Sequence, residues 1–243
     1  MITKKALIFG YPGEKGGENY CSGVFHDMHG YYSHFTSLCG GAWKVREEIF
    51  IEKQPITKKR LKKYIEYFNC EAEYSIFIFV GHGEYHEDYG TIIQLNAKEK
   101  ISEFDLSLDN VSRRLNIFDC CREKTIFPMQ GRYLKESYIS QSFSASNVEL
   151  YRECFNSLLG ASIKGNINIY SCSINERSKD ISNLGGLFSY HLLRNTIGNE
   201  NLSIYKAFKK AEPIVKRLSS YEQNPVIDRP RVNGNSFPFY LKP

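Results

Sequence analysis

The chain has 243 residues, 42% of them hydrophobic and 24% charged, with a formal net charge of +5. That apolar share can fill a core, which excludes a disordered segment, and so mild a positive balance does not by itself call for a nucleic-acid partner. Seven cysteines with no C-x-x-C pair exclude a disulfide framework and a zinc site, and imply reduced thiols in a cytoplasmic protein.

Residues 4–10 form a short apolar run closed by Gly10, which reads as a buried first strand and not as a signal peptide. Residues 11–23, rich in Gly and Asn, are a loop. Val24, Phe25, Met28, Tyr31, Tyr32, Phe35 and Leu38 recur at spacings of three and four, so 24–38 is an amphipathic helix. A second strand is expected over 43–51, ended by Pro55. Thr57 then caps a helix with Leu61, Tyr64, Ile65 and Phe68 on one face and lysines on the others. Residues 75–80 are continuously apolar, a strand buried on both faces and too short to span a bilayer. Residues 85–95 read as a hairpin, 115–118 as a fourth strand, 123–147 as a long loop and 148–159 as a helix. A fifth strand covers 167–170, helices cover 184–193 and 203–218, and a proline-rich tail over 225–238 leads into a last strand at 239–241.

Alternating strands and helices imply right-handed crossovers and a largely parallel sheet in a single domain, 1–243. In such a sheet, chemistry gathers at the carboxyl ends of the strands. His82 follows the third strand, Cys121 the fourth and Cys172 the fifth. A thiol nucleophile needs a neighbouring imidazole and oxyanion donors. Cys121 and His82 meet the first need, and the N–H groups of Gly83 and Cys121 meet the second.

Gly81-His82-Gly83-Glu84 after one strand and Asp119-Cys120-Cys121-Arg122 after the next resemble the caspase-like (clan CD) cysteine peptidases, most closely metacaspases and paracaspases. Residues 5–10, Tyr170-Ser171-Cys172, Gly185-Gly186-Leu187-Phe188-Ser189-Tyr190, Gln223-Asn224-Pro225 and Phe237-Pro238-Phe239 extend the resemblance over nearly the whole chain. It implies a three-layer α/β/α sandwich on a mostly parallel six-stranded sheet with an antiparallel edge strand. It also selects Cys121 over Cys120 as nucleophile, through the aspartate two residues before it, in an environment that favours the thiolate.

The resemblance further implies a P1 pocket built from Asp27, Asp119 and Glu176. Three carboxylates would favour a guanidinium over an ammonium and repel an aspartate. Metacaspases carry Asp two residues after the fifth-strand cysteine, where this chain has Ile174. The expected activity is cleavage of protein or peptide substrates after Arg or Lys, without cofactor, membrane or nucleic acid. Activation by a partner protein, a ligand or self-cleavage within 123–147 is left open. By analogy with small stand-alone relatives, the context is a prokaryotic protease in defence or regulated death.

Rival readings are weaker. His26, His29 and His34 crowd the first helix, but no further ligand completes a metal site. The lysines of 58–63 read as a solvated face, and no acidic cluster suggests a calcium site. The alternative from another class is a catalytically silent caspase-like binding or scaffold module.

Overall fold

The computed structural model describes residues 2–124, 145–181, 184–195, 198, 200–230 and 234–243. In chain order, β1 (Lys4–Tyr11) leads to α1 (Gly23–Thr36), β2 (Ile49–Glu52), α2 (Lys58–Glu71) and β3 (Tyr74–Gly81). A three-stranded antiparallel ribbon follows: β4 (Gly83–His86), β5 (Gly90–Gln94) and β6 (Lys100–Ser102). Then come β7 (Arg113–Cys120), α3 (Ala145–Gly160), β8 (Gly165–Tyr170) and a minimal hairpin, β9 (Asp180–Ile181) with β10 (Gly185–Gly186). The chain ends with α4 (Leu187–Arg194), β11 (Leu202–Ser203), α5 (Ile204–Leu218), β12 (Val226–Asp228) and β13 (Pro238–Tyr240).

The main sheet has the order β12-β8-β7-β3-β1-β2. Five strands are parallel, and β12 closes one edge antiparallel to β8. The antiparallel edge therefore comes from within the proline-rich tail. The last strand foreseen at 239–241 is instead β13, which pairs with β11 away from the main sheet. The strand foreseen over 43–51 shrinks to β2, because 44–48 turns back on itself: the Glu48 N–H bonds the Lys44 carbonyl at 2.8 Å, and Trp43 packs into the core.

Side-chain alternation along the strands sorts two cores. Ala6, Ile8, Ile76, Ile78, Leu115 and Ile117 face the layer of α1, α3, α4 and α5. Leu7, Phe9, Phe77, Phe79 and Phe118 face Leu61 and Phe68 of α2 and Ile93 of the ribbon. The N-cap of α2 is made by Thr57, whose hydroxyl accepts from the Arg60 N–H at 3.2 Å.

The register of the central strands fixes what meets at the carboxyl end. Gly10 pairs with Val80 and Val80 with Asp119, while Tyr11 pairs with Gly81 and Gly81 with Cys120. One residue further on, Pro12, His82 and Cys121 leave the sheet side by side.

Candidate active site

His82 bonds the carbonyl of Pro12 through Nε2 at 3.2 Å. A carbonyl can only accept, so Nε2 carries the hydrogen and, in the neutral ring, the lone pair lies on Nδ1. Tyr11 packs edge-on against the imidazole, with ring centroids 6.1 Å apart. Gly83 follows at a point of close approach, where a Cβ would lie 2.6 Å from Cys120 Sγ and 3.1 Å from the Cys121 carbonyl. Only glycine lets this segment cross the end of β7 so tightly.

Strand alternation separates the two adjacent cysteines. Cys120 is 1% exposed and belongs to the core beneath the ribbon. Cys121 is half-buried and shares the wall of a cleft of about 350 Å³ with Tyr11, Gly13, His82, Gly83 and Glu123. The thiolate-favouring environment expected for Cys121 is not found. Burial pushes its thiol up to about 11, with Glu123 adding to the rise, while a backbone hydrogen bond at Ser178 and the charge of Arg177 oppose it. Glu123 and Arg177 pair at 2.6 Å, so these opposed charges are locked together beside the sulfur.

Arg122 does not face the cleft. Its guanidinium lies 3.9 Å from the Tyr170 ring centroid and 5.3 Å from that of Tyr85, and Nε donates to Thr91 Oγ1 at 3.1 Å. Its backbone N–H and carbonyl bond Glu176 and Asn175. Arg122 thus anchors the segment that displays Cys121.

Asp119, one residue before Cys120, points to the other face of the sheet. It is 4% exposed; its Oδ1 accepts from the Ser178 hydroxyl at 2.6 Å and its Oδ2 from the Ser189 N–H at 3.2 Å and the Ser189 hydroxyl. Asp27 arrives from α1, on the same buried stripe as Val24, Met28 and Tyr31. It is 3% exposed and accepts from the Gly186 N–H at 2.7 Å. A Cβ on Gly186 would lie 2.7 Å from Asp119 Oδ2 and 3.1 Å from Asp27 Oδ2, so both carboxylates crowd one glycine. Burial and then the charge of Asp119 hold the Asp27 carboxyl well above its ordinary range. Among the described residues, no lysine or arginine forms an ion pair with either.

Glu176 does not join them. Its carboxylate accepts from the Ser173 N–H at 3.0 Å and from the Asn224 N–H and side-chain amide, both at 2.7 Å, stapling the turn after β8 to the 219–224 segment. The acid that stands beside the pair is Asp180, which sequence reasoning missed. It is exposed, accepts a hydrogen bond from the Cys21 thiol, and lies 3.1 Å from where a Cβ of Gly23 would be, next to Gly185. The one available signal was an acid between a sheet strand and the Gly185-Gly186 pair, in the kind of connection where α/β sheets hold their ligands.

His34 is half-buried against Phe239: it stacks on that ring, bonds the Phe239 carbonyl at 2.9 Å, and desolvation lowers its imidazole to about 4. It is not part of a polar helix face. Of the three basic residues that offer self-cleavage sites in the foreseen 123–147 loop, Lys124 pairs with Glu87, whereas Arg132 and Lys135 lie outside the described residues.

A family model described as the caspase domain matches residues 3–235. No curated protein matches the chain at a significant level. The crystal structure of caspase-1 from Spodoptera frugiperda is similar over 93% of this chain and 86% of that one, with a TM-score of 0.56 and 14% identity, a likeness of fold.

Proposed function

The chain belongs to the caspase domain family, and on that premise we propose that it is a cysteine endopeptidase cleaving after basic residues, Arg ahead of Lys, of the metacaspase and paracaspase kind. Cys121 is the nucleophile and His82 the acid–base. The thiol proton passes to His82 Nδ1 as the sulfur attacks the scissile carbonyl. The oxyanion is met by the N–H groups of Gly83 and Cys121, and His82 returns the proton to the leaving amine. Water then hydrolyses the thioester. The Pro12 carbonyl keeps the imidazole in the tautomer that this exchange needs.

The observation that carries the specificity is the convergence of Asp27 and Asp119 on Gly186 with no cationic partner among the described residues. Burying carboxylates unpaired is costly, and a guanidinium from the substrate offsets that cost with bidentate, charge-assisted hydrogen bonds. Asp180 at the mouth supplies a third acid. Glu176, first expected in that role, is engaged by Ser173 and Asn224 instead. A scaffold function would give the meeting of two buried acids at Gly186 no use in binding a basic side chain.

The test is a fluorogenic peptide panel with Arg, Lys, Ala or Asp at P1, run on the wild type and on Cys121→Ala. Cleavage in the order Arg, Lys, with none after Asp and none by Cys121→Ala, is expected. Indifference to P1 charge would remove the pocket assignment. Activity surviving in Cys121→Ala would remove the nucleophile.

A further inference from the structure

The cleft that holds Cys121 and His82 is not the place where Asp27 and Asp119 meet. None of Asp27, Asp119 and Asp180 lines it. It opens instead toward the 12–19 loop on one side and the β4–β6 ribbon on the other. Among the described residues its carboxylate and ammonium lining is Glu14, Glu18, Glu84 and Glu123 against one lysine, Lys100. Two of those acids are answered: Glu84 by Lys100 at 2.9 Å and Glu123 by Arg177 at 2.6 Å.

Glu14 is held differently. It accepts the Tyr11 hydroxyl at 2.7 Å, and the ring of the same tyrosine lies edge-on to His82. Tyr11 is 3% exposed, whereas Glu14 is exposed to the cleft and to solvent. A neutral hydroxyl orients a carboxylate without neutralising it. One buried side chain therefore touches both the imidazole and an exposed carboxylate that has no ion-pair partner among the described residues. The loop is tightened around this arrangement, since the Gly17 N–H bonds the Glu14 carbonyl at 2.8 Å and the Cys21 N–H bonds the Pro12 carbonyl at 2.7 Å.

We infer that this half of the cleft receives the segment on the leaving side of the scissile bond, and that Glu14, oriented by Tyr11, selects a lysine or arginine within its first two residues. The inference rests on the peptidase reading of Cys121 and His82. If His82 protonates the leaving amine, that amine and the chain following it lie on the imidazole side of the sulfur. The P1 acids lie elsewhere, so the imidazole side is free for the departing segment. The protein then recognises a basic cluster spanning the cut, and not a single basic residue before it.

The experiment uses internally quenched peptides with Arg fixed at P1 and Lys, Arg, Ala or Glu at the two positions after it. The wild type is expected to prefer basic over Ala by about two- to fivefold in kcat/KM. The preference should shrink toward one as salt rises, because Glu14 is exposed and its attraction is screened. In Glu14→Gln the basic-to-Ala ratio should fall to near one, and in Glu14→Lys it should invert toward Glu. Tyr11→Phe, which keeps the ring and removes the hydroxyl, should lower the ratio by about half or more. A wild-type ratio near one, or a ratio unchanged in Glu14→Gln and Glu14→Lys, overturns this inference while leaving the peptidase reading intact. Failure to cut any Arg-P1 peptide overturns the peptidase reading, and the inference falls with it.

Discussion

Gly13 crosses His82 so closely that a Cβ there would lie 3.0 Å from the imidazole Nε2 and 2.9 Å from the Asn19 carbonyl. Its φ of +92° adds a backbone cost for any other residue, about 1–2 kcal/mol. Gly13→Ala should therefore push the imidazole off the Pro12 carbonyl and lose its tautomer. The expected result is a fall in kcat/KM of at least about tenfold, bounded above by the roughly 10²–10⁴ of a fully lost acid–base, with only a small drop in Tm. Steady-state kinetics beside a thermal melt check this. Full activity would mean that the contact does not position His82.

The thiol of Cys121 is pushed up to about 11, so it is protonated at neutral pH in the free protein. Its alkylation by iodoacetamide should be slow at pH 7.5 and should accelerate with pH well beyond the range of an ordinary cysteine, near 8.5. Glu123→Gln should lower the midpoint of that profile, because it removes a negative charge and releases Arg177 from its pair. Rates measured from pH 7 to 11 on both proteins decide the matter; a midpoint below 8 in the wild type contradicts it.

Asp27 is raised well above the usual aspartate range, by burial first and by Asp119 second. The sign for ligand binding follows. At pH values below that raised pKa the carboxyl is protonated, and a guanidinium must displace the proton to gain its full charge-assisted bonds. Affinity of a small guanidine, such as agmatine, for Cys121→Ala protein should rise with pH by up to about tenfold per unit where one proton is released. Calorimetry in buffers of different ionisation enthalpy should record that proton, and Asp27→Asn should abolish both effects.

Glu176 and Asp180 separate experimentally. Glu176 accepts three hydrogen bonds that hold the turn after β8. Glu176→Gln should destabilise the fold by about 1–3 kcal/mol and leave the Arg-to-Lys preference intact. Asp180→Asn should leave Tm nearly unchanged and reduce Arg cleavage by about tenfold. If the two variants exchange these phenotypes in melts and P1 panels, Glu176 is the third pocket acid.

Much of this site was legible before any coordinates. Residues 75–80 and 115–118 are continuous apolar runs, and parallel strands read that way, so the places where they stop marked His82 and Cys121 directly. Asp119 and Cys120 face opposite sides because side chains alternate, a rule that needs only the strand. Other parts carried no such signal. The Pro12 carbonyl that fixes the imidazole is backbone, with no residue type to announce it. Asp180 lies in a hairpin of two-residue strands, too short to show any period. Asp27 is singled out through the family resemblance alone, and only the packing of α1 shows that it lies on the buried stripe. The raised Cys121 thiol depends on burial, a property of the whole tertiary arrangement. The edge strand β12 is three residues within a proline-rich stretch, and its pairing with β8 is long-range.

The eight-residue pairing of β3 with β7 has a further consequence. His82 and Cys121 hang from the ends of one continuous ladder, so their separation is set by backbone bonds that break only when the central sheet melts. The acids beyond them come from three different elements, Asp119 from the sheet, Asp27 from a helix and Asp180 from the smallest of hairpins, and all three meet around Gly186. Reactivity and discrimination therefore differ in robustness. If the proposed peptidase reading holds, P1 selectivity is expected to erode at a lower temperature or denaturant concentration than cleavage itself, which P1 panels run along a melt would record.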